Sequence, residues 1–445
     1  MSLAFRTTLP LFLVVIVCIL SVEGTFRRPL NNFIRHFHSL DYDRDDVHRR
    51  QKRALELSPH ADVHIKFNAF GKNLTMHMRR NHEIFAPGFK IVDEDENPIA
   101  YDYSRFFHGS LEGHPGSYCM GLLDKGRFQG KINIKDDEWH IEPAEKYFPD
   151  DQEFHSVIYS HHDLDYEFNY GHAKIPDRPT TFKGSSYEQK KMQAAMAEQM
   201  KAAKDKNDKA HSRSKRGSKN RHHNTCYLKV VADHLFMRKF VRRETAIDQM
   251  VLHYKAVEYI FRNQTFNSTD PKYGAYFNPE GIGFRIKEVH VWKDKNKVPA
   301  SLRPDFISVY RLLDLFSEMN HSSVCEAFLF TDRSFDNGVM GLAWIAYPYG
   351  QAGGICDSYT NYGGKMKSYN TGLISFKLFN REAPPPVTEI TFAHELGHAF
   401  GAQVPISLNV FSVHCNLSEE ALEFPVHQLT STLRNFSQEH GVSLA

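Results

Sequence analysis

The twelve residues from Ile390 to Gly401, I-T-F-A-H-E-L-G-H-A-F-G, constrain this chain more than any other stretch. His394 and His398 are four apart, so on a helix their imidazoles face the same way and can share one Zn²⁺. Glu395 stands beside them, placed to take a proton from water. Ile390, Phe392 and Ala393 give the same helix an apolar side that must be covered. In the longer form of the pattern, H-E-x-x-H-x-x-G-x-x-H, the chain turns at the glycine and a third histidine follows. Gly401 is present, but the third position is Val404, whose side chain has no lone pair to offer a metal.

A chain of 445 residues with 41 % hydrophobic content can bury two or three cores. Its net charge of +2 is too small for nucleic-acid binding by the chain as a whole, so proteins or peptides are the expected partners. Residues 1–24 read as a secretory signal: Arg6, then the apolar run Leu11 to Leu20, then Val22-Glu23-Gly24 as a cleavage site. Nothing later in the sequence is apolar enough to span a bilayer, which predicts a secreted or extracellular product of the secretory pathway. Sequons at Asn73, Asn263, Asn267, Asn320, Asn416 and Asn435 fit a glycoprotein. Without Cys18 five cysteines remain, Cys119, Cys226, Cys325, Cys356 and Cys415, so at least one lacks an intramolecular partner.

Two stretches end in basic-x-Lys-Arg, Arg50 to Arg53 and Arg213 to Arg216. Such sites suit a proprotein convertase when extended and exposed, and we expect cleavage after Arg216. Between the two, residues 54–183 alternate apolar and polar over short runs, as in Val63 to Phe67 and Lys131 to Ile134. This predicts a β-rich domain. From Lys183 to Arg221 twelve Lys or Arg face four Asp or Glu, the composition of a basic linker. Within it Met192, Met196 and Met200 have helical spacing. Beyond Cys226 the signals are those of an α/β domain. We expect strands at 227–232, 284–292, 327–331 and 341–346, with helices at 244–261, 304–319 and 387–400.

The sequence resembles the ADAM family of zinc endopeptidases, and within it the Kuzbanian-type branch of Notch and amyloid-precursor sheddases. The resemblance is carried by Gly126-Arg127-Phe128-Gln129-Gly130, Ile141 to Tyr147, Phe154 to Tyr159, Asn224-Thr225-Cys226, Asp233 to Phe236, Phe330 to Arg333, Gly341 to Trp344, Gly353 to Cys356, Asn370 to Gly372 and Thr391 to His398. It implies a metzincin-like α/β protease domain, with a mixed sheet and a zinc helix, behind a β-rich prodomain. The expected layout is signal 1–24, prodomain 25–183, linker 184–224, protease domain 225–402 and a divergent tail 403–445. The resemblance also implies a Cys226–Cys325 disulfide, Zn²⁺ on His394 and His398, Glu395 as catalytic base, and a substrate peptide adding as a strand near 341–346.

Three departures lead us to expect a truncated form of impaired activity. Val404 replaces a ligand, no methionine follows Met366 to floor the site, and the family's later modules, membrane helix and tail are absent. His414, Glu419, Glu420 and His427 are the substitute ligands the tail offers, and Cys415 a partner for Cys356. Tyr170 to Lys174, where a zinc-binding prodomain cysteine is expected, holds none, and Cys119 lies elsewhere. The alternative function is a non-catalytic decoy or inhibitor that binds substrates or the full-length protease. Replacing Arg216 with Ala should leave an uncut secreted chain on a gel, whereas Arg53→Ala should leave the cut at Arg216 intact.

Overall fold

The computed structural model describes residues 29–57, 62–135, 137–148, 153–165, 225–262, 282–346, 353–355 and 357–401, together with the backbone of four two- or three-residue strands. The signal, the basic linker with Arg216, Cys356, Val404 and most of the tail lie outside the described residues. Of the six sequons, Asn73 and Asn320 are described on their side-chain side, and both are exposed.

The amino-terminal unit is the expected β-rich body. Its strands are β1 (His38–Leu40), β2 (Val63–Ala69), β3 (Lys72–Arg80), β4 (Phe85–Asp93), β5 (Phe106–Leu111), β6 (Tyr118–Asp124), β7 (Arg127–Ile134), β8 (Asp137–Pro143) and β9 (Ser156–Ser160). All but β4 form one antiparallel sheet in the order β1-β9-β8-β7-β6-β5-β3-β2. Strict alternation along β2 puts Val63, Ile65, Phe67 and Ala69 inward, which fixes the register, because a one-residue slip would turn all four to water. Helix α1 (Arg44–Leu57) packs on this sheet. It carries Arg50 to Arg53, and Gln51 is buried with its amide donating to the Leu123 carbonyl. The first basic site is therefore helical.

The carboxy-terminal unit is built on β10 (Thr225–Ala232), α2 (His234–Arg238), α3 (Arg243–Arg262), β11 (Gly283–Val291), α4 (Val309–Phe316), β12 (Glu326–Thr331), β13 (Gly341–Ala343), β14 (Thr371–Ser375) and α5 (Pro385–Ala399). Its sheet is mixed, as expected. β11, β10, β12 and β14 run parallel and are buried nearly throughout, while β13 closes one edge antiparallel to β14. Two expected elements are shorter than the sequence pattern. The helix at 304–319 starts only at Val309, because the Ser308 hydroxyl caps it by accepting the Arg311 amide N–H. The strand at 341–346 ends at Ala343, beyond which the Ala346 N–H leaves the sheet to donate to the His398 carbonyl.

The disulfide joins Cys226 at the head of β10 to Cys325 just before β12, two neighbouring strands 99 residues apart in sequence. Asp233, at the end of β10, both caps α2 and pairs with the buried Arg333, which also donates to the carbonyls of Leu302 and Pro304. One loop-closing bond and one buried charge pair thus tie the upper strands to the loops that follow them. Reducing the chain's crosslink by Cys226→Ala with Cys325→Ala should cost about 2–5 kcal/mol in chemical denaturation.

Candidate metal centre and catalytic residues

Helix α5 begins with Pro385 and Pro386, where missing amide protons cost nothing, and is buried on nearly every side. Phe392 packs edge-on against Phe328 and Phe330 of β12, with ring centroids 4.7 and 5.4 Å away. Its first turn is tied to α3, where His253 Nε2 lies 2.6 Å from the Thr388 hydroxyl and Nδ1 lies 2.8 Å from the Gln249 carbonyl. Burial drives the His253 pKa down to about 4, so this imidazole is neutral and serves as a hydrogen-bonding strut. At the other end Ile355 donates to the Ala399 carbonyl at 2.9 Å, and Gly401 turns the chain with φ +94°.

On this held helix His394 and His398 point the same way. Their Nε2 atoms stand 2.9 Å apart, and the rings meet edge to face with centroids 4.5 Å apart. Two imidazole nitrogens converging on one point are a suitable partial donor set for Zn²⁺, whose bonds to imidazole are about 2.0–2.1 Å. Glu395 turns away from the solvent side and lies against β13. The Ala343 amide bonds its carboxylate, and burial pushes its pKa up to about 8 against that hydrogen bond. A Cβ on Gly341 would sit 2.5 Å from Glu395 Cγ and 2.6 Å from Oε1, so only glycine leaves room for the carboxylate there. Hydrophobic patterning alone places Gly341 in a strand and gives no sign of this role. Its signal is a glycine at the start of a short edge strand, a signal too common to single it out.

A second convergence of ligand-type atoms joins Glu138 and His140 of β8 to Glu389 of α5, all within 4.8 Å of one another. It has an internal cation already. Lys131 Nζ donates to Glu138 at 3.0 Å and to Glu389 at 3.1 Å, and all four residues are buried or nearly so. Burial holds the Glu389 carboxyl above its ordinary range against the pull of Lys131, whereas Lys131 holds Glu138 well below that range in spite of burial. This cluster is a charge network, and His394 with His398 remains the pair that suits a metal. Among the substitute ligands, His414 belongs to a short strand of which only the backbone is described, and Glu419, Glu420 and His427 lie outside the described residues. Cys119 is free and fully buried in the amino-terminal core, where burial raises its thiol pKa to about 12. A thiol so placed is no ready metal ligand.

Residues 222–404 match the metallopeptidase family M12, and residues 28–112 match the reprolysin family propeptide. The chain carries a reprolysin-type M12 metallopeptidase domain behind a reprolysin-family propeptide. It is 34 % identical over 388 residues to human disintegrin and metalloproteinase domain-containing protein 10, covering 85 % of this chain and 50 % of that protein. The mouse protein of the same name is 35 % identical over 389 residues, with the same coverage. A homolog from Caenorhabditis elegans is 26 % identical over 450 residues, 90 % of this chain and 47 % of its own. This metallopeptidase chain thus spans about half the length of the curated relatives it matches. Among its described residues no helix is long and apolar enough to cross a membrane.

Gly341→Ala should lower stability by about 1–3 kcal/mol through overpacking against Glu395. The double variant Gly341→Ala/Glu395→Ala should recover most of that loss, and a double-mutant cycle in urea measures the coupling.

Proposed function

We propose that this chain is made as the zymogen of a zinc endopeptidase of the ectodomain-shedding type, acting on membrane proteins such as those of the Notch and amyloid-precursor class. The observation that carries the reading is the convergence of His394 and His398 on a helix that also aims Glu395 at β13. In this reading His394 and His398 hold Zn²⁺, which when bound supplies Lewis acidity to the scissile carbonyl. Glu395 takes the proton of the attacking water and returns it to the departing amine. β13 is an edge strand of the sheet, so an extended peptide can add beside it, with backbone hydrogen bonds giving affinity and side-chain pockets giving preference.

The secretory route, glycosylation and convertase cleavage after Arg216 belong to the same reading, with a matching propeptide as their support. Val404 in place of the third histidine favours weak turnover, because two protein ligands hold the metal less tightly than three. That same departure supports a second reading, a non-catalytic decoy or inhibitor that binds substrates or the full-length protease.

Zinc content and peptide cleavage of the secreted chain and of Glu395→Ala separate the two. About one zinc per chain, with turnover lost at least about a hundredfold in the variant, is the expected result for a working site. Substoichiometric zinc with no difference between the two proteins would leave the decoy reading.

A further inference from the structure

The sixth strand of the protease sheet does not come from the protease unit. β4, from the amino-terminal unit, lies parallel to β11, with Ile91 opposite Val289 and Asp93 opposite Val291, so the sheet reads β13-β14-β12-β10-β11-β4. Ile91 and Asp93 also bond outward to Ile99 and Asn97 of their own turn, which leaves the intervening Val92 amide facing β11. The apolar core is shared too: Ile84, Phe85, Ile91, Phe106 and Leu122 pack in one cluster with protease residues such as Ile286 and Phe284.

Charged groups close the same seam. Tyr101 and Arg105 both donate to the buried Asp248 of α3, at 2.6 and 2.8 Å, and Glu94 accepts the amides of Lys293 and Asp294. Lys131 reaches Glu389 on the zinc helix, five residues before His394. Asp248 and Glu389 are desolvated and each has its cation on the other unit, so separation would strip a buried charge of its partner.

We propose that the amino-terminal unit docks on the protease by strand addition at the β11 edge, remote from β13, and that Lys131 is a positioning residue fastening that docked unit to the zinc helix through Glu389. The inference rests on the zymogen reading and names the contacts by which its two halves stay together. Five strand spacings put β4 roughly 24 Å from β13. Among the described residues no strand of the amino-terminal unit pairs with β13. Control by this surface therefore runs through the back of the sheet and α5, and its loss would leave β11 as an open edge.

The test uses the full chain with Arg213 to Arg216 replaced by the recognition sequence of a site-specific protease, cut after purification. The two fragments should co-elute on size exclusion at micromolar concentration, and the β11 amides should exchange with deuterium no faster than before the cut. Lys131→Met should speed separation by about a hundredfold, and Lys131→Arg should largely restore it. Lys297→Glu, at an exposed pair with Asp95, should speed separation several-fold without disturbing the fold, which keeps the test open if Lys131→Met is not secreted. Prompt separation with unprotected β11 amides, or a Lys297→Glu chain that behaves like the parent, would overturn the proposal. Neither readout needs zinc or turnover, so a catalytically inert chain tests it equally.

Discussion

Burial of helix α5 beneath the parallel strands is the constraint on which the rest depends. A helix presenting two converging imidazoles and a desolvated carboxylate can hold one geometry only if it cannot rotate or slide. Here Phe392 fixes it against β12, His253 fixes its first turn, and the backbone of Ala346 and Ile355 fixes its last. Each anchor sits on a different element, so the helix is held at both ends and in the middle. Gly341 then leaves the space into which Glu395 folds.

The amino-terminal unit enlarges the same core. An isolated edge at β11 would expose a row of unpaired amides and the apolar side chains beneath them, and β4 covers both. The ion pairs across the seam are worth less for their own attraction than for the cost of breaking them. Lys131, shared between Glu138 and Glu389, leaves the buried Glu389 carboxylate without its cation if the two units part. A seam built this way favours one register and one orientation, because few displaced arrangements would return a cation to Asp248 and to Glu389 at once.

Much of the local structure was readable because it follows from period and composition. The alternation in β2, the buried runs of β10 and β12, and the long helix α3 all appear where hydrophobic spacing predicts them. The differences have identifiable physical causes. Ser308 starts α4 late by capping it, and Ala346 leaves the sheet for a carbonyl on a helix some fifty residues further along the chain. The basic run at Arg50 to Arg53 shares the pattern of Arg213 to Arg216 but lies on a helix that Gln51 ties to Leu123. The disulfide was implied by resemblance, and spacing alone leaves its pairing undetermined.

What the sequence by itself determined was therefore the chemistry available: two histidines and a glutamate at helical spacing, an apolar helix to carry them, a β-rich body before them, and a valine where a third donor is expected. The spacing suffices because residues one turn apart on a helix are neighbours whatever surrounds them. What only the tertiary structure decided were the long-range pairings: Gly341 against Glu395, His253 against Thr388, Lys131 against Glu389, and β4 in a sheet otherwise made by residues at least 132 positions later. No period in the chain records these contacts, since each depends on how separate elements meet in three dimensions.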